Sequence, residues 1–485
     1  MLYTIEPRQG KSYDVIVCGA GTAGVAAALA AARQGVSVLL LERSFSVGGM
    51  LTEGNAGITK FTEHCKDPQQ YKTEVLDVLA SDPRSVQVAG GIARELCLRL
   101  IASGGAAGTH GDCGSYVFTD RYALQALLLQ LLEQAGVQIL YDSRVCLVNR
   151  QDGCLKSVVA VNKEGFTEFA AKCFVDATGD ADIAVLAGAE YVLGADEEDL
   201  AEGGARAVGQ MQPMGCMYRA EGIDYPRLFA WFEENPGFAV QSCGLMDFEN
   251  VKESYRKGDM CVFCVPIDNP DPATAQQKPQ VLVQIYITPS RTGAVLLSFG
   301  PTHTAYTGSG VDAAQLSAGH TAMVHGALAI TELLRKNYPG FENVRITHIP
   351  DVGVRETRHI RGVYKMTALD VISGREFADS IGCGGHHIDT DTVPDAVRRM
   401  SMEHWRFHIP YRIMLAAGIR GLLVAGRAVS AARLARGALR TTVSCMQMGE
   451  AAGTAAAMAA MQGISPEELD VQALRAVLAE NGAVL

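Results

Sequence analysis

The hydrophobic pattern near the start of the chain predicts a strand, a helix and a second strand in direct succession. Residues 13–18 (YDVIVC) form a short apolar run rich in β-branched side chains, which is typical of a buried parallel strand. The Ala-rich residues 25–34 have high helix propensity, and Gly35 follows where a helix C-terminus favours glycine. A second apolar run, residues 36–41, ends at Glu42. Together these elements predict a βαβ unit.

The turn between the first strand and the helix reads GAGTAG, a G-x-G-x-x-G pattern. In such a turn Gly19 permits the tight bend, Gly21 lets a pyrophosphate approach the backbone, and Gly24 lets the helix pack closely on the strand. The helix N-terminus offers free N–H groups to the phosphates. Glu42 stands where an acidic side chain binds a ribose hydroxyl. The unit therefore predicts a dinucleotide site, with a plain glycine-rich turn as the alternative.

Further along the chain the pattern changes twice. Leucines at helical spacing predict a helix over residues 120–136, and alternating apolar and polar positions up to residue 180 predict a series of antiparallel strands. Residues 420–463 predict a strand, an Ala-Gly-Arg turn and a helix rich in Gly and Ala. After residue 194, the pattern predicts strands separated by amphipathic segments. We expect an N-terminal part of a cofactor domain at 1–194, a substrate domain at 195–345 and a C-terminal part of the cofactor domain at 346–485.

Three stretches distinguish FAD from NAD. The pair Gly48-Gly49 would let the backbone pass close to a bulky cofactor, which an NAD domain does not need at this point. Residues 172–194 predict a strand that ends in Ala-Thr-Gly-Asp and is followed by a helix of small residues. The helix of residues 420–463 could turn its positive N-terminal end toward the edge of a ring system. These features favour FAD.

The motifs together resemble the FAD-dependent oxidoreductases of the glutathione-reductase-type class. More narrowly, the chain resembles a bacterial FAD-dependent oxidoreductase family that is distantly related to fumarate reductase and succinate dehydrogenase flavoproteins. The resemblance rests on segments from one end of the chain to the other. These are residues 19–24, Glu42 with 48–50, DATGD at 176–180, 354–381, IPYRIML at 409–415, LLVAGRAVS and MQMGEAAGTAAA.

The resemblance implies an α/β fold: a Rossmann-type FAD-binding domain, with a parallel sheet plus an antiparallel strand layer, and an inserted α+β substrate domain. It also implies non-covalent FAD, because residues 50–65 lack the His-Ser-type motif that tethers flavin in the fumarate reductase relatives, and His64 is too distant to replace it. The cofactor-binding residues that it implies are Gly19, Gly21, Thr22, Ala23, Gly24, Glu42, Arg43, Gly48, Gly49, Met50, Gly179, Asp180, Gly426, Arg427, Gly449 and Ala452.

Candidate catalytic residues come from polar segments that would border the flavin. In VGVRETRHIRG (352–362) we predict a strand in which Arg355 or Arg358 binds an anion, since a guanidinium fork fits a carboxylate. The alternative is a structural Arg–Glu network. Arg440, just before the Gly- and Ala-rich helix, is placed to reach an anion near the flavin ring, with surface solvation as the alternative.

The glycine-rich stretch GCGGHHIDTD (382–391) makes His387 a candidate general acid or base. A solvated loop is the alternative. Metal binding with Asp389 and Asp391 has weak support, because few ligands stand at suitable spacing, and no metal is expected. Cys261 and Cys264 form a C-x-x-C, but a strand would place them on opposite faces, so we expect no redox role.

Composition narrows the partners. The net charge is −11, and the 42 Lys and Arg residues are scattered, so nucleic acid is not an expected partner. The N-terminus lacks an apolar signal-peptide core, and no apolar stretch is long enough to span a bilayer. We predict that the 13 Cys are reduced thiols. We therefore expect a cytoplasmic protein, and a homo-oligomer is one possible state of assembly.

The expected function is hydride transfer between flavin N5 and a small anionic or polar organic substrate. The reaction is either reduction of a C=C bond or, alternatively, dehydrogenation or oxidation of a C–H bond next to OH or NH. A different class of function is a non-catalytic regulatory protein that binds FAD or NAD. A second G-x-G-x-x-G is absent from the sequence, so the electron donor or acceptor stays unknown.

Overall fold

The fold is described from a computed structural model. The description covers the chain except for residues 1–5, 55–56, 60–87, 109–115, 216, 236–247, 258–260, 271–274, 277–278, 288–294, 299–305 and 404–405.

Helices in the described part of the chain vary from a single turn to more than six turns. They are α1 Thr22–Arg33, α2 Gly91–Ala102, α3 Arg121–Gln134, α4 Asp182–Leu186, α5 Glu197–Ala201, α6 Tyr225–Glu234, α7 Phe248–Lys257, α8 Ala313–Asn337, α9 Ala368–Ile372, α10 Asp395–Glu403, α11 Arg433–Leu439, α12 Thr442–Gln462 and α13 Val471–Glu480. Short 3-10 turns lie at Gly49–Leu51, Tyr411–Met414 and Pro466–Glu468. No helix in this part is long and apolar enough to cross a membrane.

The strands of the described residues form two main sheets and three small ones. They are β1 Arg8–Gln9, β2 Tyr13–Cys18, β3 Val38–Leu41, β4 Ile58–Thr59, β5 Ala106–Gly108, β6 Tyr116–Thr119, β7 Gln138–Leu140, β8 Arg144–Gln151, β9 Cys154–Asn162, β10 Gly165–Asp176, β11 Tyr191–Leu193, β12 Met217–Glu221, β13 Cys261–Asp268, β14 Gln280–Ile287, β15 Val295–Ser298, β16 Arg345–His348, β17 Arg358–Ile360, β18 Ser380–Gly384, β19 Phe407–Pro410 and β20 Leu422–Val424.

The predicted βαβ unit lies in a parallel sheet of order β7–β3–β2–β10–β20. All four residues of β3 and the last four of β2 are buried, which explains why both strands read as continuous apolar runs. The helix begins at Thr22 rather than at residue 25, because Gly21 of the turn is itself the N-cap. The βαβ prediction is confirmed.

The long strand β10 belongs to two layers. Its second half pairs in parallel with β2 and β20, and its first half pairs antiparallel with β9, which in turn pairs with β8. The predicted combination of a parallel sheet with an antiparallel strand layer is therefore confirmed. β7 is an exception within the predicted antiparallel series, since it pairs in parallel with β3 at the sheet edge.

The second main sheet is antiparallel throughout, with the order β13–β14–β15–β12–β16. Helices α6 and α8 cover it, and a separate apolar core forms between them from residues such as Leu228, Phe263 and Ile330. This inserted α+β unit is the predicted one. Its last strand, Arg345–His348, continues past residue 345, and the division of the chain into three segments stays a prediction.

The strand predicted over residues 352–362 is wrong for its first half. Only Arg358–Ile360 is a strand, paired with β11. Before it, Gly353 forms an isolated bridge with Gly215, and the Glu356 carboxylate accepts a hydrogen bond from Gln212 N at 2.9 Å. The Glu356 side chain thus takes the place of a backbone partner for the Gln212 N–H. Arg355, next to Glu356, lies outside any strand.

Candidate functional site

The glycine turn before α1 leaves space for a ligand. Gly19 has φ +93°, and a Cβ on Gly24 would lie 1.8 Å from the carbonyl oxygen of Gly19, so neither position accepts a side chain. A Cβ on Gly21, in contrast, would meet no atom within 4 Å. No side chain caps α1, and its first turn, starting at Thr22, contains no acidic residue. The residues present therefore fit the pyrophosphate of a dinucleotide.

Glu42 holds this turn in place. Its carboxylate accepts hydrogen bonds from Ala20 N at 2.7 Å, from Ser44 N at 2.8 Å and from the Ser44 hydroxyl at 2.9 Å. Arg43 beside it is exposed. The acidic group is therefore at the predicted position next to the turn, and its binding to a ribose stays a prediction.

The Gly-Gly pair packs directly on the glycine turn. Gly48 has φ +100° and donates its N–H to the Ala20 carbonyl at 2.8 Å. A Cβ on Gly49 would lie 2.9 Å from the Cα of Gly21. Met50 extends away from this contact, with its Cε 3.3 Å from where a Cβ on Gly353 would lie. The pair thus brings two backbone segments together at the mouth of the dinucleotide site.

Asp180 and Arg427 form an ion pair beside the same turn. Arg427 Nη2 donates to Asp180 Oδ1 at 2.7 Å, and the Thr357 hydroxyl donates to the same oxygen at 2.5 Å. Burial would raise the pKa of Asp180, but Arg427 and Thr357 outweigh it and hold the pKa below its usual range. Gly179 has φ +85°, and a Cβ there would lie 2.9 Å from the Arg427 guanidinium.

Two further features lie among the residues predicted to bind the cofactor around the start of α1, a region that we call the cofactor side. Arg427 Nε is buried without a hydrogen-bond partner in the described part of the chain, so it could donate to a bound group. Gly426 has φ +95° and lies close to Ala23, since a Cβ on it would be 3.4 Å from the Ala23 Cβ. Residues from the two ends of the chain therefore meet at the start of α1.

Gly449 lies in a helix–helix contact. A Cβ on it would be 2.1 Å from the Ala23 carbonyl oxygen of α1, and a Cβ on Gly453 would be 2.0 Å from the Ala27 carbonyl oxygen. Ala452 is fully buried in the same core. These small residues let α12 dock tightly on α1, as the sequence predicts. Cofactor contact by Gly449 and Ala452 stays a prediction.

Three of the four candidate catalytic residues, Arg355, His387 and Arg440, lie within electrostatic range of Asp389. Arg440 Nη2 donates to the Asp389 carbonyl and carboxylate oxygens, each at 2.9 Å. Burial would raise the pKa of Asp389, but Arg440, His386, Arg355 and His387 together lower it well below its usual range. Arg440 thus contacts Asp389 directly, and His386, His387 and Arg355, whose Nη1 donates to Pro213 O at 2.9 Å, lie within electrostatic range of it; we call these five residues the Asp389 cluster.

The Asp389 cluster contains buried donors. Arg440 Nε and Gln212 Nε2 are both buried, and in the part of the chain that the structure describes neither has an acceptor. Gln212 joins the cluster through its Oε1, which lies 3.5 Å from Arg440 Nη2. Buried polar groups are normally hydrogen-bonded. These two donors therefore leave hydrogen-bonding capacity at the cluster for a water or a ligand.

The cluster and the cofactor turn adjoin the same helix. Arg440 is the C-cap of α11 and directly precedes α12. Burial raises the pKa of Cys445, in the first turn of α12, to about 12, while the charges of Arg427 and Arg440 both oppose this rise. Both guanidinium groups therefore lie within electrostatic range of one thiol, so the cluster is next to the cofactor side.

Arg358 does not join the cluster. Its guanidinium pairs with Asp182 and lies over the Tyr191 ring, 5.9 Å from the ring centroid. His386 and His387, in contrast, are half-buried, with their rings stacked at 4.4 Å. A freely solvated loop therefore does not describe the His386–His387 pair.

The predicted Arg–Glu network exists, but with other partners. Glu356 accepts from Arg433 Nε at 3.0 Å and from Arg436 Nη2 at 2.6 Å, and all three side chains are buried. Arg433 also donates to Asp391 Oδ1 at 2.7 Å, which ties the His-containing loop to α11. Sequence reasoning missed this pairing because the partners are about eighty residues apart. The helical spacing of Arg433, Arg436 and Arg440 is the signal that could have found it.

Two other expectations concern groups away from the cluster. Cys264 is buried in β13, and Cys261 opens the same strand, as predicted. Over the described residues, no three His, Cys, Asp or Glu side chains are grouped so that they could hold a metal ion. Residues 55–56 and 60–65 of the segment that bears on the flavin tether, including His64, lie outside the described residues.

Comparisons with known proteins agree with the geometry. A family model described as FAD dependent oxidoreductase matches residues 14–478. A vinyl phenol reductase of Lactiplantibacillus plantarum is 43% identical over 67 residues, which are 13% of this chain and 14% of that protein. An NADH:fumarate oxidoreductase of Klebsiella pneumoniae is 48% identical over 48 residues, 10% of this chain and 5% of that protein. The matches thus span a small part of either relative.

A solved structure of a geranylgeranyl bacteriochlorophyll reductase-like protein from Thermoplasma acidophilum is also similar. It aligns with a TM-score of 0.44 and 14% identity, and the alignment covers 97% of this chain and 84% of that one.

Proposed function

Because the chain belongs to the FAD-dependent oxidoreductase family and is an enzyme that uses FAD, we propose that it transfers a hydride between flavin N5 and a small anionic or polar substrate. The observation that carries the proposal is the Asp389 cluster, in which Arg355, His387 and Arg440 converge beside the cofactor side. Family membership sets aside the alternative of a non-catalytic regulatory protein.

The cofactor is held without a covalent bond in this proposal. Open space at Gly21 and the uncapped N-terminus of α1 would receive the pyrophosphate, and the buried Nε–H of Arg427 would donate to the flavin portion. FAD, when bound, supplies the two-electron chemistry. The chain's own task is to orient the substrate and to manage a proton.

In this proposal Arg440 and Arg355 bind the substrate. Asp389 fixes the Arg440 guanidinium through Nη2, which leaves the buried Nε–H for a substrate oxygen, with the Gln212 amide beside it. Arg355 adds positive charge to the same place. This arrangement suits a carboxylate or another acceptor-rich polar group. Arg358 is not proposed to bind this group, because it pairs with Asp182 outside the Asp389 cluster.

In this proposal His387 transfers the proton. Its half-buried ring lies in the Asp389 cluster, and an imidazole ring can both donate and accept a proton, as a general acid or base must. The same residues would serve either direction: protonation of a carbon during reduction of a C=C bond, or proton removal during oxidation of a C–H bond next to OH or NH. The similarity to a vinyl phenol reductase supports reduction.

The electron donor or acceptor is proposed to be a separate carrier, and the location to be the cytoplasm. The described cysteines form no disulfide with one another, which supports a reducing compartment.

The test starts from the visible absorption spectrum of the purified protein before and after acid precipitation. Flavin released into the supernatant is expected, and flavin retained in the pellet would refute non-covalent binding. The chemically reduced enzyme is then mixed with unsaturated carboxylates, and the oxidised enzyme with hydroxy and amino acids. Recolouring in the first set indicates a reductase, and bleaching in the second indicates a dehydrogenase. Failure of both sets would overturn the anionic-substrate proposal.

A further inference from the structure

A cavity lies at the other end of α1 from the cofactor turn. It has a volume of about 450 Å³ and is bounded by the C-terminal end of α1, the start of α2, the middle of α12 and the end of α13. Ala30, which lines it, is about 12 Å along the helix axis from Thr22, since an α-helix rises about 1.5 Å per residue. Ligand sites typically measure about 300–1,000 Å³. The cavity is therefore a separate space of suitable size.

The inner wall of this cavity carries a buried carboxylate. Glu450 is 5% exposed, and its Oε2 accepts a hydrogen bond from Ile92 N at 3.1 Å. Across the described residues, the carboxylate has no other hydrogen-bond partner and no cation within ion-pair distance. A buried carboxylate is costly unless it is paired and fully hydrogen-bonded. One backbone N–H explains the position of Glu450 but satisfies only one of its oxygens.

The outer wall carries an excess of positive charge. Arg33 Nη1 lies 2.7 Å from Glu95 Oε2, and Arg99 Nη2 lies 3.0 Å from Glu95 Oε1, so two guanidinium groups share one carboxylate. Both arginine side chains are more than a third exposed, and Arg33, Glu95 and Arg99 all line the cavity. The cavity thus has a negative group at its depth and a positive rim.

We propose that this cavity binds a small zwitterion of the amino-acid class. Its ammonium group would pair with the Glu450 carboxylate, and its own carboxylate would lie at the arginine-bearing rim. Apolar side chains from Ala30, Ile92 and Leu98 line the space between and suit an aliphatic substituent. A zwitterion adds no net charge, so it matches both walls, whereas a simple anion or cation matches one. This inference does not depend on the proposed function.

Isothermal titration calorimetry of the FAD-loaded full chain tests the proposal with three probes. They are L-leucine, 3-methylbutylamine (which lacks the carboxylate) and 4-methylpentanoate (which lacks the ammonium). Leucine is expected to bind, and each single-charge analogue to bind about tenfold or more weakly, because a charged hydrogen-bonded pair is lost. No binding of leucine, or equal binding of 4-methylpentanoate, would overturn the proposal.

Variants locate the site. Glu450→Gln keeps an acceptor for Ile92 N, and about a tenfold loss of leucine affinity is expected. Arg99→Gln, on the exposed rim, is expected to fold normally and weaken leucine binding, which keeps the proposal testable if the buried variant misfolds. Glu164→Gln removes an exposed charge elsewhere and should change nothing. Leucine binding that is lost in Arg440→Gln but kept in both cavity variants would overturn the proposal by assigning leucine to the Asp389 cluster.

Discussion

The contact between α12 and α1 makes a quantitative prediction about Gly449. A Cβ at this position would lie 2.1 Å from the Ala23 carbonyl oxygen, and one at Gly453 would lie 2.0 Å from the Ala27 carbonyl oxygen. Carbon and oxygen normally approach no closer than about 3.3 Å. Because the obstacle is backbone and cannot rotate away, the two helices would have to separate by about 1 Å.

The expected change in the free energy of unfolding follows from two opposing effects. Overpacking a core by one methyl group destabilises by about 1–3 kcal/mol, and the rigid obstacle places both sites toward the upper end. Replacing Gly by Ala inside a helix gains about 1 kcal/mol in propensity. Gly449→Ala and Gly453→Ala are therefore each expected to destabilise the protein by about 1–2 kcal/mol, measured by urea denaturation of the FAD-free protein.

The pair of variants also separates packing from cofactor contact. Gly453 is one helical turn farther along α12, and its neighbour Ala27 is one turn farther along α1. If Gly449 acts only in packing, both variants lose similar stability and bind FAD with similar affinity. A loss of FAD affinity confined to Gly449→Ala would show that Gly449 contacts the cofactor. Stabilisation of both variants by about 1 kcal/mol would refute the close approach itself.

Four other substitutions test the cofactor turn, the Asp389 cluster and the cavity at Glu450. Gly21→Ala should leave the free energy of unfolding within about 1 kcal/mol of the parent and weaken FAD binding about tenfold or more in a flavin titration, because the Cβ enters open space. Arg440→Gln should raise KM for the identified substrate, whereas Arg358→Gln should lower Tm and leave KM unchanged in steady-state assays. Burial raises the pKa of Glu450 to about 7. The protonated carboxyl therefore contributes fully to the free energy of unfolding below about pH 4.5, and about 3 kcal/mol of that contribution is lost as the pH rises to 7. Glu450→Gln should remove this pH dependence in urea denaturation.

The sequence predicted the cofactor half of the fold because its signals are local. The G-x-G-x-x-G turn, the buried strands around it and the glycine- and alanine-rich α12 each follow from neighbouring residues, and each is where the pattern places it. The meeting of β20 with β10 could be expected from the resemblance alone, since more than two hundred residues separate them.

The candidate site was predictable only in part. Arg355, His387 and Arg440 were chosen by residue type, but their convergence on Asp389 depends on long-range packing that no local pattern encodes. The same limit explains Arg358: its pairing with Asp182 joins two segments that are distant in sequence.

The place of β20 in the parallel sheet also sets the order in which the protein can be completed during synthesis. β10 pairs with β20 along its outer edge, and α1 is covered by α12, yet both partners come after residue 420. At about 5–20 residues per second, a ribosome needs roughly twenty seconds or more to reach them. During that time the nascent chain carries an open strand edge and an uncovered alanine-rich helix. Synthesis of β20 and α12, rather than formation of the glycine turn, therefore limits when the complete cofactor site can first exist.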